Sequence, residues 1–126
     1  MNILVSNKYR NYLISYDYNL IKEITGEYDS KDLISLISTI QYNKLIIDLT
    51  AIKGYTDLKN IRELINNVES NRIILLLSNE VITTSKYYLS NLINMGIYNF
   101  TLAPGEIVYL GLMNKQKKWF LNQIKW

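Results

Sequence analysis

Three polar residues stand where apolar stretches of this chain end, and residues at such places can do chemistry. Asp48 lies near the end of the stretch 44–52, Ser78 ends the stretch 72–78, and Ser6 follows the first apolar run. In open α/β sheets, ligands and reactive groups gather beyond the carboxyl ends of the strands. A carboxylate there can react or hold a hard cation such as Mg²⁺. Asp48 can equally serve as an acceptor that caps a turn.

Residue types that the chain lacks exclude several kinds of site. Without Cys or His, it cannot build thiol nucleophiles, Ser-His triads, imidazole acid–base catalysis or metal sites with those ligands. Disulfide bonds are also impossible, which fits a reducing compartment. The Gly-rich loops of dinucleotide and P-loop nucleotide sites are absent. We therefore predict no cofactor, while a small ligand such as a flavin stays open because flavodoxin-type loops are less stereotyped.

The positive charge of the chain is confined to its last twenty residues. Residues 1–106 carry ten Lys or Arg against eleven Asp or Glu, whereas residues 107–126 carry four lysines and no acid. Because a nucleic-acid interface needs clustered basic residues, we predict no nucleic-acid partner. The basic end suits a solvated helix terminus, a contact with a protein partner or, least of all, an anionic membrane surface.

Apolar stretches and helical periodicities alternate along the chain. Strands are predicted at 3–5, 20–25, 44–50, 72–78 and 98–102. Helices are predicted near 8–16, 33–40, 58–68, 83–95 and from Glu106, with Ser30 and either Thr56 or Asp57 as N-caps and Gly96 as a C-cap. This alternation predicts a three-layer, doubly wound α/β domain with a parallel, flavodoxin-like sheet in the order 2-1-3-4-5.

We expect residues 1–114 to form this domain and residues 115–126 to form a basic aromatic tail or helix extension. No apolar run approaches the length that spans a bilayer. The first residues look like a strand rather than a signal peptide. A cytoplasmic location is therefore expected.

Four positions resemble the receiver domain of bacterial response regulators. Leu45-Ile-Ile-Asp48 resembles the strand that ends in the phosphoacceptor Asp, and Ser78 occupies the place of the Ser or Thr that contacts the phosphoryl group. Ala103-Pro104 keeps the Pro of the family's Lys-Pro pair but not the Lys. Ser6 and Asn7 stand where the family carries two acidic Mg²⁺ ligands. The resemblance also suggests a cis peptide before Pro104, which the residues alone do not establish.

These departures remove the charges on which receiver chemistry depends. Phosphoryl transfer is catalysed mainly by positioning and by neutralising charge on the phosphoryl oxygens. Asp48 alone would hold Mg²⁺ weakly, and Ala103 supplies no ammonium group. We therefore predict a non-catalytic pseudo-receiver in which Asp48 accepts backbone N–H groups of the following loop or pairs with Lys8, and Ser78 caps the strand-to-helix turn. A phosphorylatable receiver that uses Asp48 and a flavodoxin-like ligand-binding module are the alternatives.

A second resemblance points to the kind of partner. Segments 94–101 and 105–110 are similar to the closing strand and helix of the receiver-like domains that precede MinD/ParA-type ATPases of the TadZ/CpaE kind. It implies a protein-interaction, dimerisation or localisation module whose partner is a second copy of the chain or such an ATPase.

The expected interface is the face made by the fourth helix, the fifth strand and the fifth helix. Residues 107–113 are apolar all around, so one side of that helix should cover the sheet and the other should contact a partner or lie under residues 119–121. The interface candidates are Tyr87, Tyr88, Tyr98, Tyr109, Leu110, Met113, Trp119 and Phe120.

Overall fold

A computed structural model describes residues 1–112 and, for Tyr109, Gly111 and Leu112, the backbone alone. Five parallel strands form one sheet in the order β2-β1-β3-β4-β5. The strands are β1 Asn2–Ser6, β2 Leu20–Thr25, β3 Leu45–Asp48, β4 Ile73–Leu76 and β5 Asn99–Thr101. The predicted doubly wound α/β fold and its strand order are confirmed.

Helices connect these strands and lie against the sheet. Those of the α type are α1 Arg10–Leu13, α2 Ser30–Ile37, α3 Leu58–Ile65, α4 Lys86–Asn94 and α5 Ile107–Leu112. Helix α4 begins later than predicted because residues 81–84 form turns instead. Ser85 ends those turns, and its side chain accepts a hydrogen bond from the backbone N–H of Tyr88. Helix α1 is also shorter than predicted.

The predicted helix caps are partly correct. Asp57 caps α3 by accepting a hydrogen bond from the backbone N–H of Lys59. Gly96 follows α4 with a φ of 89°, a conformation that glycine adopts without strain. The prediction for Ser30 is wrong, because Ser30 is the first residue of α2 and follows the N-cap Asp29. Its hydroxyl instead donates to the carbonyl of Asn60, which joins α2 to α3.

Side chains of the central strands alternate between the two faces of the sheet. Every residue of β3 and β4 is buried, as expected for inner strands of a parallel sheet covered on both sides. Ile46 shares a face with its neighbour Ile74 and lines a cavity with residues of α5. Asp48 lies two residues further along β3, so it projects from the same face at the carboxyl edge.

Within residues 1–112, no helix has the length and apolar character needed to cross a membrane. The predicted domain boundary at residue 114 and the tail 115–126 lie outside the described residues.

Candidate functional site at the carboxyl edge of the sheet

Asp48 is the last residue of β3, and its side chain has no exposure to solvent. One carboxylate oxygen, Oδ2, accepts hydrogen bonds from two backbone N–H groups that follow β1. The N–H of Asn7 lies 3.0 Å from Oδ2, and that of Tyr9 lies 2.9 Å from it. Asp48 therefore holds the loop after β1, some forty residues earlier in the chain, against the end of β3.

The second carboxylate oxygen, Oδ1, is equally occupied. It accepts a hydrogen bond from the backbone N–H of Thr50 at 2.9 Å and another from Thr50 Oγ1 at 2.8 Å. Asp48 thereby caps the short 3₁₀ helix Leu49–Ala51. The expected role of Asp48 as an acceptor for backbone N–H groups of the following loop is confirmed by Thr50, whereas the donors Asn7 and Tyr9 were not predicted. The alternative pairing with Lys8 is not found among the ion pairs of the described residues.

Further hydrogen bonds connect the same two loops directly. Asn7 Nδ2 donates to the carbonyl of Thr50 at 2.8 Å, and the N–H of Lys8 donates to Thr50 Oγ1 at 3.1 Å. We call Asp48, Asn7, Tyr9 and Thr50 the Asp48 cluster. A carboxylate has about four lone-pair sites, and all four in Asp48 receive donors from this cluster. No free lone pair is left for a metal ion or a phosphoryl group.

Tyr9 and Thr50 are the members of the cluster that sequence reasoning missed. Thr50 carries a usable signal, because a Thr two residues after an Asp is a common partner in turns capped by Asp. Tyr9 carries no such signal. Its hydroxyl accepts a hydrogen bond from the backbone N–H of Asn79 at 3.2 Å, so its side chain spans from the loop after β1 to the loop after β4.

Ser6 does not replace the missing acidic ligand. Its side chain is fully buried, and its Oγ has no hydrogen-bond partner among the described residues. Within residues 1–112, no group of three His, Cys, Asp or Glu side chains could hold a metal ion. The loop after β1 therefore supplies backbone donors to Asp48 rather than ligands to a cation.

Ser78 is buried just beyond β4 and turns toward the chain that follows it. Its Oγ lies 2.8 Å from Thr83 Oγ1, and Thr83 Oγ1 donates to the carbonyl of Ser78 at 2.8 Å. This pair of hydrogen bonds closes the turn before α4. The predicted place of Ser78 in the strand-to-helix turn is confirmed, but its hydroxyl contacts Thr83 rather than a backbone N–H, and Ser85 caps α4.

Tyr55 and Glu80 form a second polar contact at the same edge. The hydroxyl of Tyr55 donates to Glu80 Oε1. That hydrogen bond, aided by burial and by the charge of Glu80, raises the pKa of Tyr55 to about 12. The phenol therefore stays protonated at neutral pH and remains a donor to the carboxylate.

The end of β5 carries a hydroxyl and a carboxylate. Ala103 is exposed, and its N–H donates to Thr101 Oγ1 at 3.0 Å. Thr101 Oγ1 in turn donates to Glu106 Oε2 at 3.0 Å. The described residues contain no cis peptide, so the peptide bond before Pro104 is trans, in contrast to the family pattern. This corner holds a hydroxyl–carboxylate pair where a receiver would present an ammonium group.

A cleft of about 320 Å³ lies beside these groups. We call it the carboxyl-edge cleft, and its walls are mostly apolar: Tyr9, Tyr12, Leu76, Leu77, Asn79, Leu102 and Pro104. Of the predicted site residues, only Pro104 lines it. The cleft has the size of a small-molecule site but presents few polar groups.

Burial corrects the predicted interface at two positions. Tyr88 faces the core, where its hydroxyl donates to the carbonyl of Tyr55 at 2.5 Å, and Leu110 packs in the core one turn after Ile107. Neither side chain can contact a partner on the surface. Tyr87 is 70% exposed and Tyr98 is half-buried. The structure does not describe the side chain of Tyr109. The remaining candidates lie outside the described residues: Met113, Trp119 and Phe120.

The most exposed apolar side chain of the described residues lies just before α4. Val81 is 91% exposed, and the adjacent Ile82 is 47% exposed. We call Val81, Ile82 and Tyr87, three exposed side chains within seven residues of the chain, the α4 entry surface. Sequence reasoning placed Val81 and Ile82 near a helix start and did not single them out.

Comparison with protein-family models, curated proteins and solved structures finds no match to this chain.

Proposed function

We propose that this chain is a non-catalytic, receiver-like domain that acts through contacts with another protein. The occupied carboxylate of Asp48 carries this proposal. Both of its oxygens are buried and each accepts two hydrogen bonds. A phosphoryl acceptor must instead present an oxygen to the incoming phosphorus and to a metal ion.

The charges around Asp48 support the same proposal. Receiver chemistry needs positive groups around the phosphoryl oxygens and further carboxylates for Mg²⁺. The contacts around Asp48 consist of backbone N–H groups and the Thr50 hydroxyl. Such donors stabilise one carboxylate charge, whereas a phosphorylated residue would carry about one further negative charge and a much larger head group.

The α4 entry surface supports a role in protein binding. Val81 and Tyr87 are largely exposed and lie six positions apart in the chain, and exposed apolar patches commonly mark interaction sites. Tyrosine is also a favoured anchor at protein interfaces. The proposed partner is a second copy of the chain or a MinD/ParA-type ATPase, as the resemblance implies. Nucleic acid and membrane surfaces are not proposed as partners.

The self-association form of the proposal can be tested by sedimentation over a range of protein concentrations. We expect a dimer in the wild type and a shift toward monomer in Val81→Ser/Tyr87→Ser. The matched control is Ile21→Ser/Leu36→Ser, which changes two apolar side chains of 48% and 45% exposure on other elements. This control should associate like the wild type. A wild type that stays monomeric throughout, or equal weakening in both variants, would contradict the homodimer form.

The carboxyl-edge cleft favours one second candidate, a flavodoxin-like module for a small ligand. Its volume of about 320 Å³ is at the lower end of the range for ligand sites. Native mass spectrometry of the purified chain checks this candidate. A bound small molecule that is lost in Tyr9→Ala but kept in the exposed control Tyr87→Ala would favour it over the interaction module.

A further inference from the structure

The carboxyl-edge cleft brings exposed apolar side chains from different elements to one place. Tyr12 of α1 is 64% exposed, and Leu102, which follows β5, is 50% exposed. Both line the cleft, together with the buried side chains of Leu76 and Leu77 at the end of β4. Single exposed apolar side chains are common on a protein surface, but those that meet around one concave site mark it as a place for a ligand.

Tyr9 gives the cleft a wall that is fixed before any ligand binds. Its backbone N–H donates to Asp48 Oδ2 at 2.9 Å, and its hydroxyl accepts a hydrogen bond from the N–H of Asn79 at 3.2 Å. The ring of Tyr12 lies against that of Tyr9, with the ring centroids 6.3 Å apart and the planes inclined by 43°. Because a wall held at both ends loses little further freedom on binding, this arrangement favours affinity.

The cleft also has polar groups that are available to a ligand. Asn79 is exposed, and its side-chain amide has no hydrogen-bond partner among residues 1–112. It therefore offers two N–H donors and one carbonyl acceptor. The hydroxyl of Tyr9 accepts one hydrogen bond and donates to no group among the described residues, so its proton is available as well.

The lining of the cleft carries no charge. Among the described residues, no Asp, Glu, Lys or Arg contributes to its walls. A charged group placed against these walls would lose water without gaining an oppositely charged partner. The part of a ligand that enters the cleft should therefore be neutral.

We infer that the carboxyl-edge cleft binds an uncharged heteroaromatic base, of the kind that a nucleoside carries. Its ring would pack against Tyr12 and Leu102, because planar rings stack on aromatic side chains and the walls are otherwise apolar. Its polar edge would meet the amide of Asn79, since an amide matches the adjacent donor and acceptor of a base. The volume of about 320 Å³ suits a small ligand. This inference rests on the small-ligand candidate above and not on the interaction module.

An amide-shift titration of the ¹⁵N-labelled full-length chain with inosine tests the site. Inosine is uncharged, and its base has an N–H next to a carbonyl. We expect saturable shifts centred on the amides of Tyr12, Asn79 and Leu102, with a dissociation constant of about 0.1 to 1 mM. The absence of shifts at millimolar inosine, or shifts centred elsewhere, would overturn the proposal.

Two variants with a matched control test the apolar contacts. Tyr12→Ala should weaken inosine binding about ten-fold, as expected when a stacked aromatic ring is removed. Leu102→Ala should weaken it by a smaller factor. Leu36→Ala changes a leucine of similar exposure on α2, outside the cleft, and should bind inosine like the wild type. Equal binding by all three variants and the wild type would overturn the proposal.

Two further probes test the polar edge and the neutrality of the ligand. Purine riboside keeps the ring and sugar of inosine but lacks the carbonyl and the adjacent N–H. It should bind about five-fold more weakly, in line with one hydrogen bond, and this difference should disappear in Asn79→Ala. A difference that survives in Asn79→Ala would overturn the proposal. Inosine monophosphate should bind no more tightly than inosine, and tighter binding by the nucleotide would contradict a neutral ligand.

Native mass spectrometry separates this inference from the small-ligand candidate on which it rests. A heteroaromatic base or nucleoside found on the purified chain, and lost in Tyr12→Ala, would support both. A bound molecule without such a ring would overturn the inference and leave the small-ligand candidate standing.

Discussion

Asp48 and Tyr18, at opposite edges of the sheet, differ in how their buried polar atoms are satisfied. At the carboxyl edge, Asp48 is fully buried and both of its oxygens are occupied by donors from its own cluster. At the amino edge, Tyr18 is almost as buried, and its hydroxyl has no partner among residues 1–112. Buried polar groups are nearly always paired. Asp48 meets this rule within its own cluster, whereas the hydroxyl of Tyr18, like that of Ser6 at the carboxyl edge, has no partner among residues 1–112.

This difference changes how the residue at the end of β3 should be interpreted. Asp48 occupies the place where α/β proteins carry reactive groups, yet position alone does not make a carboxylate reactive. Its lone pairs must also be available, and here they hold the loops after β1 and β3 together. We therefore assign Asp48 a structural role.

The largest effect is expected for Asp48→Asn, which replaces one acceptor oxygen with a donor. Two of the four donors around it would lose their partner inside the core, at a cost of about 3 kcal/mol in the free energy of unfolding. The matched control is Asp57→Asn, because Asp57 also caps a helix but is exposed and Asn caps equally well. Urea denaturation of both variants measures the difference. Equal small losses would show that the Asp48 cluster contributes little.

Thr50→Val should have the next largest effect. It keeps the shape of the side chain but removes the donor to Asp48 Oδ1 and the acceptor for the N–H of Lys8. We expect a loss of about 2 kcal/mol. Thr25→Val, at an exposed position on the edge strand β2, should change the free energy of unfolding by less than about 0.5 kcal/mol. Calorimetry of the two variants measures both losses in the free energy of unfolding. A loss for Thr50→Val no larger than that for Thr25→Val would contradict this prediction.

Tyr55→Phe should have the smallest effect and should depend on pH. The hydrogen bond to Glu80 raises the folded-state pKa of Tyr55 from 10.0 to about 12. The contribution of this hydrogen bond to the free energy of unfolding is therefore complete below about pH 10 and is lost as the pH rises through about 12. Because Tyr55 is partly exposed, we expect a loss below about 1 kcal/mol at neutral pH.

Unfolding measured from pH 9 to pH 12 checks this prediction. The difference between wild type and Tyr55→Phe should shrink across that range, while Tyr12→Phe, at a 64% exposed position, should follow the wild type throughout. A difference that stays constant with pH would contradict the role given to the contact with Glu80.

Sequence patterns predicted the order of elements and the order of strands. A continuous apolar run such as Ile73–Leu76 indicates an inner strand, because both faces of an inner parallel strand are buried. The exact starts of helices were less predictable. Ser30 looks like a cap, but its hydroxyl bonds to Asn60, thirty residues away, and no local pattern shows such a contact.

The candidate site was predictable only in part, for the same physical reason. The cap that Asp48 forms with Thr50 and the turn in which Ser78 meets Thr83 follow from local chemistry, since the partners are close in sequence. The contribution of Tyr9 depends on a fold that brings residues about forty positions apart together. Tyr88 and Leu110 were misplaced because a helix with apolar residues on several sides does not reveal which side faces the sheet.

The most direct test of the account is an amide spectrum of the ¹⁵N-labelled chain, recorded with and without Mg²⁺ and beryllofluoride, a mimic of the phosphoryl group. The amides of Asn7, Tyr9 and Thr50 donate to Asp48 and so report directly on its oxygens. We predict that their chemical shifts stay unchanged. Saturable shifts at these three amides, lost in Asp48→Asn, would show that Asp48 is a working acceptor and would contradict the structural role.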